Sequence, residues 1–281
     1  MSEEWKSRIE TASTPSGSIR VVPWGLCREL AAAFGLPARE IERWACENGI
    51  VPSRYERNIG TLKTEGQARL LASTAAVVGL GGLGGLIADL LARAGVGCLV
   101  LVDGDTFSDH NLNRQILCNE SNLGQPKSSV AEHHIRAVNG SVETRVFETF
   151  LDDSNALEIL SSCSLAIDAL DSNGARRVLR RACRDLGIPM VHGAIAGFWG
   201  QAGVFLPEDS TPWDGPEEAL PDRGVELETG NPPFTPAFVA ALEAAEAIKV
   251  LAGVSKPLRH RLLWADLDRG DFQKLRLGPT P

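Results

Sequence analysis

The sequence predicts a doubly wound α/β fold, and three observations predict it. From residue 75 onward, apolar runs alternate with amphipathic helical stretches in the order βαβαβαβ. Runs such as CLVLV at 98–102 are apolar without alternation, as strands covered on both faces of a parallel sheet must be. The first run enters a glycine turn, VVGLGGLGG at 77–85, where Gly79, Gly81 and Gly84 meet the G-x-G-x-x-G spacing of a strand–turn–helix nucleotide loop. The expected fold is therefore Rossmann-like, with a mostly parallel sheet.

Each element follows in chain order. Residues 1–20 are polar and contain TPSGS, which reads as a mobile tail. CRELAAAFGL and PAREIERWACENG read as two short helices, with Pro37 in a first turn and Gly49 at an end. They form a small helical extension over 1–52. VPSRYERNIG reads as extended or turn-like. TEGQARLLAS reads as a helix in which Thr64 and Gln67 have capping-box spacing. After the strand at 75–80, Leu83, Leu86, Ile87, Leu90 and Leu91 mark one helix face, ended by Gly95. A helix over 126–138, a strand at 142–147, a helix at 153–161 and a buried strand SLAIDAL at 164–170 follow. GARRVLRRACRDLG is a helix, IPMVHG a strand, and GQAGVFLP at 200–207 another strand. Residues 207–235 have no period and read as a functional or mobile loop. PAFVAALEAAEAIKVLAG is a strong helix, and RLLWADL and FQKLRL form a terminal antiparallel strand pair.

Composition narrows the function. The chain has 281 residues and 43% apolar content, enough for one sizeable domain plus a small appendage. No run approaches the roughly 20 apolar residues of a membrane span. The acidic start MSEEWKSRIE carries no apolar signal segment, which points to the cytoplasm. The six cysteines form no C-x-x-C pair, so they read as reduced thiols. The net charge of −8 argues against nucleic-acid binding. The helix pair at 25–49 resembles a DNA-reading unit, but across 25–50 three arginines face four glutamates, and a groove-entering helix should be basic. A packing or partner-docking role suits it better.

In a doubly wound sheet the ligand sits beyond the carboxyl ends of the strands. The glycine turn and the helix it opens favour phosphate there. Asp103, 19 residues beyond Gly84, is placed to accept hydrogen bonds from ribose hydroxyls. These features serve NAD and ATP equally. Asn111, Asn113, Arg114 and Gln115 in NLNRQ, with Lys127 in GQPK, favour ATP, because a triphosphate needs several cationic donors. DALDSN ends a buried strand with two aspartates. Asp171 suits Mg²⁺, which takes one or two protein carboxylates plus phosphate oxygens and water. Asp168 suits a structural role.

RYERNIG, GLGGLG, DGD, NLNRQ, GQPK and DALDSN, in this order and spacing, resemble the MoeB, ThiF and HesA branch of the ubiquitin-activating enzyme superfamily. The resemblance covers residues 53–281. It implies an ATP-dependent adenylyltransferase with a homodimeric core. By motif position, Gly81 and Gly82 lie against the nucleotide, Asp103 binds the ribose, and Asn111, Arg114 and Lys127 hold phosphates. Asp171, with Ser172 beside it, would hold Mg²⁺. Arg57 resembles the arginine that reaches the partner subunit's ATP site. The implied substrate is the C-terminal Gly-Gly carboxylate of a small ubiquitin-like sulfur-carrier protein, as in molybdopterin, tungstopterin or thiamine pathways. Alternatives are a peptide or tRNA-linked acceptor, the latter disfavoured by the acidic balance. An NAD oxidoreductase leaves RYERNIG, Arg114 and Lys127 unexplained.

The sequence departs from the family in three places. The two C-x-x-C pairs of zinc-bearing relatives are absent, so no zinc is expected. No cysteine follows Cys183, which falls in a predicted helix, so the sulfur is expected from another protein. Ser172 stands where an Asn is common.

Overall fold

The computed structural model describes residues 3–216 and 220–277. Its main sheet has eight strands. These are β4 (Thr74–Val78), β5 (Cys98–Val102), β6 (Glu143–Phe147), β7 (Leu165–Asp168), β8 (Met190–Ala196), β9 (Trp199–Phe205), β10 (Arg261–Asp266) and β11 (Asp271–Arg276). The spatial order is β11-β10-β9-β8-β7-β4-β5-β6. The five strands from β8 to β6 in that order run parallel, and β9, β10 and β11 are antiparallel to their neighbours. The mostly parallel sheet with antiparallel terminal strands is as expected.

Residues of β4 and β5 alternate between two cores. Ala75, Val77, Leu99 and Leu101 face one layer, with helices α5 (Gly84–Ala94), α6 (Lys127–Val138) and α10 (Phe234–Ala252). Ala76, Val78, Val100 and Val102 face the other, with α7 (Ala156–Leu160) and α8 (Asn173–Leu186). Because both faces are covered, these strands carry no polar face, which is why their sequence does not alternate. The chain leaves β4 toward β5 on one side and returns to β7 on the other. That reversal opens a crevice between the carboxyl ends of β4 and β7.

The first twenty residues differ from expectation. Residues 4–22 are not a tail but form α1 (Glu4–Ala12), β1 (Thr14–Ser16) and β2 (Ile19–Val22). Trp5 and Ile9, one helical turn apart, are buried, and Trp5 meets Trp44 edge to face at 5.1 Å. TPSGS is the first strand and the turn of a hairpin, with Gly17 at φ 59°. The two predicted helices are α2 (Trp24–Phe34) and α3 (Ala38–Glu47), and β3 (Ile50–Pro52) pairs parallel to β2. The extension thus has its own apolar core. Buried Glu42 ties it to the main body by accepting from Tyr55 Oη at 3.0 Å and Ser141 Oγ at 2.9 Å.

Smaller differences lie nearby. RYERN is a turn of 3₁₀ helix rather than extended chain. α4 (Ile59–Ala72) starts before Thr64 and is interrupted at Lys63, with φ 59° and ψ 173°. Gln67 is not a capping partner. It donates to the Ala94 carbonyl at 2.9 Å and accepts from Asn58 at 3.0 Å. The helix expected at 153–161 is confined to α7. The loop at 207–235 holds a 3₁₀ turn at 212–214 and α9 (Glu226–Thr229); its residues 217–219 lie outside the described residues.

A buried charged cluster and a single buried carboxyl sit between β7, β8 and the helices. Asp168 accepts from His192 Nδ1 at 2.7 Å, from Arg176 Nε at 3.2 Å and from the Leu170 N–H at 3.1 Å. Burial alone would raise its pKa, but Arg176 and His192 outweigh it and hold Asp168 below the usual carboxylate range. Burial lowers the pKa of His192, so the ring is neutral. Its Nδ1–H faces Asp168, which leaves Nε2 to accept from the Gln201 amide at 3.1 Å. Asp168 has the structural role expected of it. Glu243 on α10 is fully buried, and among the described residues neither of its carboxyl oxygens has a hydrogen-bond partner. Burial, reinforced by the charge of Asp168, pushes its pKa well above the usual value.

A raised pKa makes the folded state bind more protons than the unfolded state, so Glu243 lowers stability as pH rises above the ordinary carboxylate range. In Glu243→Gln, the melting temperature should match wild type near pH 5 and exceed it increasingly toward pH 8. Parallel melting profiles across that range would rule this out.

Candidate functional site

The crevice between β4 and β7 opens into a cavity of about 710 Å³, within the size range of small-ligand sites. Its floor is the glycine turn. Gly79 has φ 88°, and a Cβ there would lie 2.6 Å from the Ala169 carbonyl oxygen. A Cβ on Gly84 would lie 1.8 Å from the Gly79 carbonyl oxygen. These two glycines let the turn press against β7 and let α5 start directly above the strand. Gly81 and Gly82 line the cavity, and a Cβ on Gly82 would meet only ordinary contacts, the nearest being Pro236 Cβ at 3.4 Å.

Asp103 lies beside that floor and lines the cavity. Its Oδ2 accepts from the Leu80 N–H at 2.6 Å and its Oδ1 from the Asp105 N–H at 2.8 Å. Burial raises its pKa, and these backbone bonds oppose the rise. Each oxygen keeps a lone pair, so the fixed carboxylate can still receive two hydroxyls. Lys127, at the start of α6, is buried and pairs with Asp105 Oδ2 at 3.0 Å. Arg114 donates to the His110 carbonyl at 3.0 Å and to Asn113 Oδ1 at 2.8 Å. Both cations line the cavity. Gln115 also lines it, and its buried Oε1 lacks a partner among the described residues, leaving an acceptor for a ligand donor.

The far wall comes from β7, α8 and the loop. Ser172 caps α8, its Oγ accepting from the Ala175 N–H at 3.3 Å. Asp171 is largely exposed to the cavity and pairs with Arg223 of the loop at 2.7 Å. Among the described residues, no group of three or more His, Cys, Asp or Glu is placed to hold a metal ion. A lone cavity carboxylate fits Mg²⁺, which completes its shell with phosphate oxygens and water.

The structure thus brings Gly81, Gly82, Asp103, Arg114, Lys127, Asp171 and Ser172 around one cavity. It does not bring Asn111 there. Asn111 is buried, and its Oδ1 accepts from the Ser108 N–H at 3.1 Å, closing a 3₁₀ turn. Arg57 is exposed, lies outside the cavity lining, and has no hydrogen-bond or ion-pair partner among the described residues.

Sequence reasoning missed Arg176, Trp213 and Arg223, which also line the cavity. The only signal was the density of arginines in GARRVLRRACRDLG. Arg177 donates to the carbonyls of Trp213 at 3.1 Å, Gly215 at 2.6 Å and Pro216 at 3.0 Å. Arg180 donates to those of Leu206 at 3.0 Å and Pro207 at 3.2 Å, and to that of Asp209. The loop is ordered by these buried guanidinium groups.

Fold and site together define an α/β protein with a cavity at the carboxyl ends of its parallel strands, floored by a glycine turn and lined by Asp103, Arg114, Lys127 and Asp171. The ThiF family matches residues 55–281, and the chain belongs to that family. It is 38% identical over 236 residues to the SAMP-activating enzyme E1 of Haloferax volcanii, covering 81% of this chain and 86% of that one. It is 36% identical over 252 residues to the sulfur carrier protein adenylyltransferase of Thermus thermophilus, covering 85% and 91%. The fold is similar to that of E. coli MccB solved with AMPCPP and MccA, with a TM-score of 0.70 at 18% identity, covering 99% of this chain and 84% of that one. Among the described residues no helix is long and apolar enough to cross a membrane.

The two glycine environments should separate on substitution. Gly84→Ala should cost more than about 3 kcal/mol, because helix and strand must part. Gly82→Ala should stay within about 0.5 kcal/mol of wild type. Equal losses in chemical denaturation would contradict this geometry.

Proposed function

We propose that the chain adenylates the C-terminal Gly-Gly carboxylate of a small ubiquitin-like sulfur-carrier protein at the expense of ATP, releasing pyrophosphate. Its membership of the ThiF family and its likeness to an adenylyltransferase of a sulfur-carrier protein support this reading. The observation that carries it is the convergence of Asp103, Arg114, Lys127 and Asp171 on one cavity over the glycine turn.

The carboxylate of such a carrier is ionised at neutral pH, so no general base is needed. It attacks the α-phosphorus, the bond to the bridging oxygen breaks, and pyrophosphate leaves with the electron pair. The protein must bring two anions together and hold the charge that develops. Asp103 fixes the ribose, and Arg114 and Lys127 hold phosphate oxygens. Asp171 would hold Mg²⁺, which when bound neutralises phosphate charge. Arg57, exposed and unpartnered, would complete the site of a second copy in a homodimer. Cys183 is buried in α8 with its thiol pushed up to about 12 by burial, so it is not a thiolate at neutral pH. The sulfur then comes from another protein, for molybdopterin, tungstopterin or thiamine synthesis.

ATP–pyrophosphate exchange should depend on a Gly-Gly carrier and fall at least about 100-fold in Asp171→Asn. Binding of NAD without binding of ATP would defeat this reading. Mixing Arg57→Ala with Asp171→Asn protein should restore part of the exchange, through one intact site per heterodimer. No recovery in heterodimers verified by mass would place Arg57 outside the partner's site.

A further inference from the structure

One ion pair in the cavity stands in the way of a metal. Arg223 Nη1 donates to Asp171 Oδ2 at 2.7 Å, across 52 residues of sequence. The other cavity cations are engaged elsewhere: Lys127 with Asp105, Arg176 with Asp168, and Arg114 with His110 and Asn113. Arg223 alone among them holds the carboxylate suited to Mg²⁺. A guanidinium and a divalent cation repel each other, so they cannot share that carboxylate at close range without cost.

The backbone around Arg223 is tied down by hydrogen bonds, while its side chain is about half exposed. The Asn173 N–H donates to the Asp222 carbonyl at 2.8 Å, and the Gly174 N–H donates to Asp222 Oδ1 at 2.8 Å, capping α8. The Gly224 N–H donates to Glu226 Oε1 at 2.8 Å. Arg223 therefore springs from an anchored root, with a half-exposed side chain long enough to leave Asp171 while the loop stays in place.

We propose that Arg223 is a placeholder cation at Asp171. It neutralises the carboxylate before nucleotide binds, is exchanged for Mg²⁺ when nucleotide arrives, and then binds phosphate oxygens in the cavity it lines. This rests on the adenylation reading and adds to it a phosphate-binding residue supplied by the loop. The exchange keeps one positive charge on Asp171 before binding, and it adds a fork-shaped donor to the phosphates afterwards.

The test is calorimetric binding of the non-hydrolysable analogue AMPCPP across a Mg²⁺ titration, with wild type, Arg223→Ala and Arg223→Lys. In Arg223→Ala the Mg²⁺ concentration giving half-maximal affinity should fall about threefold, the worth of an exposed ion pair. At saturating Mg²⁺ the analogue's Kd should rise about tenfold, the loss of a charge-assisted contact. Arg223→Lys should stay near wild type in the first measure and fall between the others in the second. An unchanged Mg²⁺ midpoint in Arg223→Ala would overturn the exchange, and an unchanged Kd would overturn the phosphate contact. Either result leaves ATP binding by the wild type intact, whereas a wild type that binds no AMPCPP overturns the adenylation reading and this inference together.

Discussion

The buried carboxylate of Asp168 is the interaction on which the cavity end of the molecule depends. It is the last residue of β7, and through it β7 is joined to β8 by His192 and to α8 by Arg176. Removing one partner from such a buried set leaves an uncompensated charge, which costs far more than the intact set contributes. The chain from Leu170 to Asn173 hangs from this node, so Asp171 and Ser172 stand where they do because Asp168 is fixed. The same node reaches the cavity a second time, through His192 and then Gln201. One ionised group buried in the fold thereby positions polar groups on two sides of a ligand site.

The opposing wall has a different physical basis. An irregular segment of about thirty residues cannot satisfy its own carbonyls, and the protein supplies donors from α8. Arg177 and Arg180 are buried because each guanidinium offers five donors in a plane, enough to serve several carbonyls at once. Trp213, held by its carbonyl to Arg177, packs on His192 at 4.6 Å and returns the contact to the Asp168 node. Loop, helix and strand ends form one connected structure around the cavity.

Much of this was legible in the sequence, and what was not had physical reasons. The strands, α5 and α10 were readable because burial on a fixed period leaves a local trace. The glycine turn was readable because Gly79 and Gly84 meet backbone that no side chain could share. The N-terminal extension was misjudged because its polar residues mask a two-residue anchor, Trp5 and Ile9, whose partner Trp44 is distant in sequence. The Ser108–Asn111 spacing, visible in the sequence, closes a local turn. Arg177, Arg180 and Arg223 were out of reach because their partners lie 26 to 52 residues away. In two of the three cases the partners are backbone carbonyls, which carry no residue signature.

The antiparallel end of the sheet has a consequence for the molecule's behaviour in solution. β11 is exposed along all six residues and, among the described residues, leaves one row of N–H and C=O groups without a neighbouring strand. Such an edge is a template for strand addition between copies. Asp271, Lys274 and Arg276 place both signs of charge along it. Phe272 and Leu275 on the same strand would favour such addition. A parallel copy in register would meet like charge at Asp271, Lys274 and Arg276, and high salt, by screening that repulsion, would loosen the barrier to this pairing.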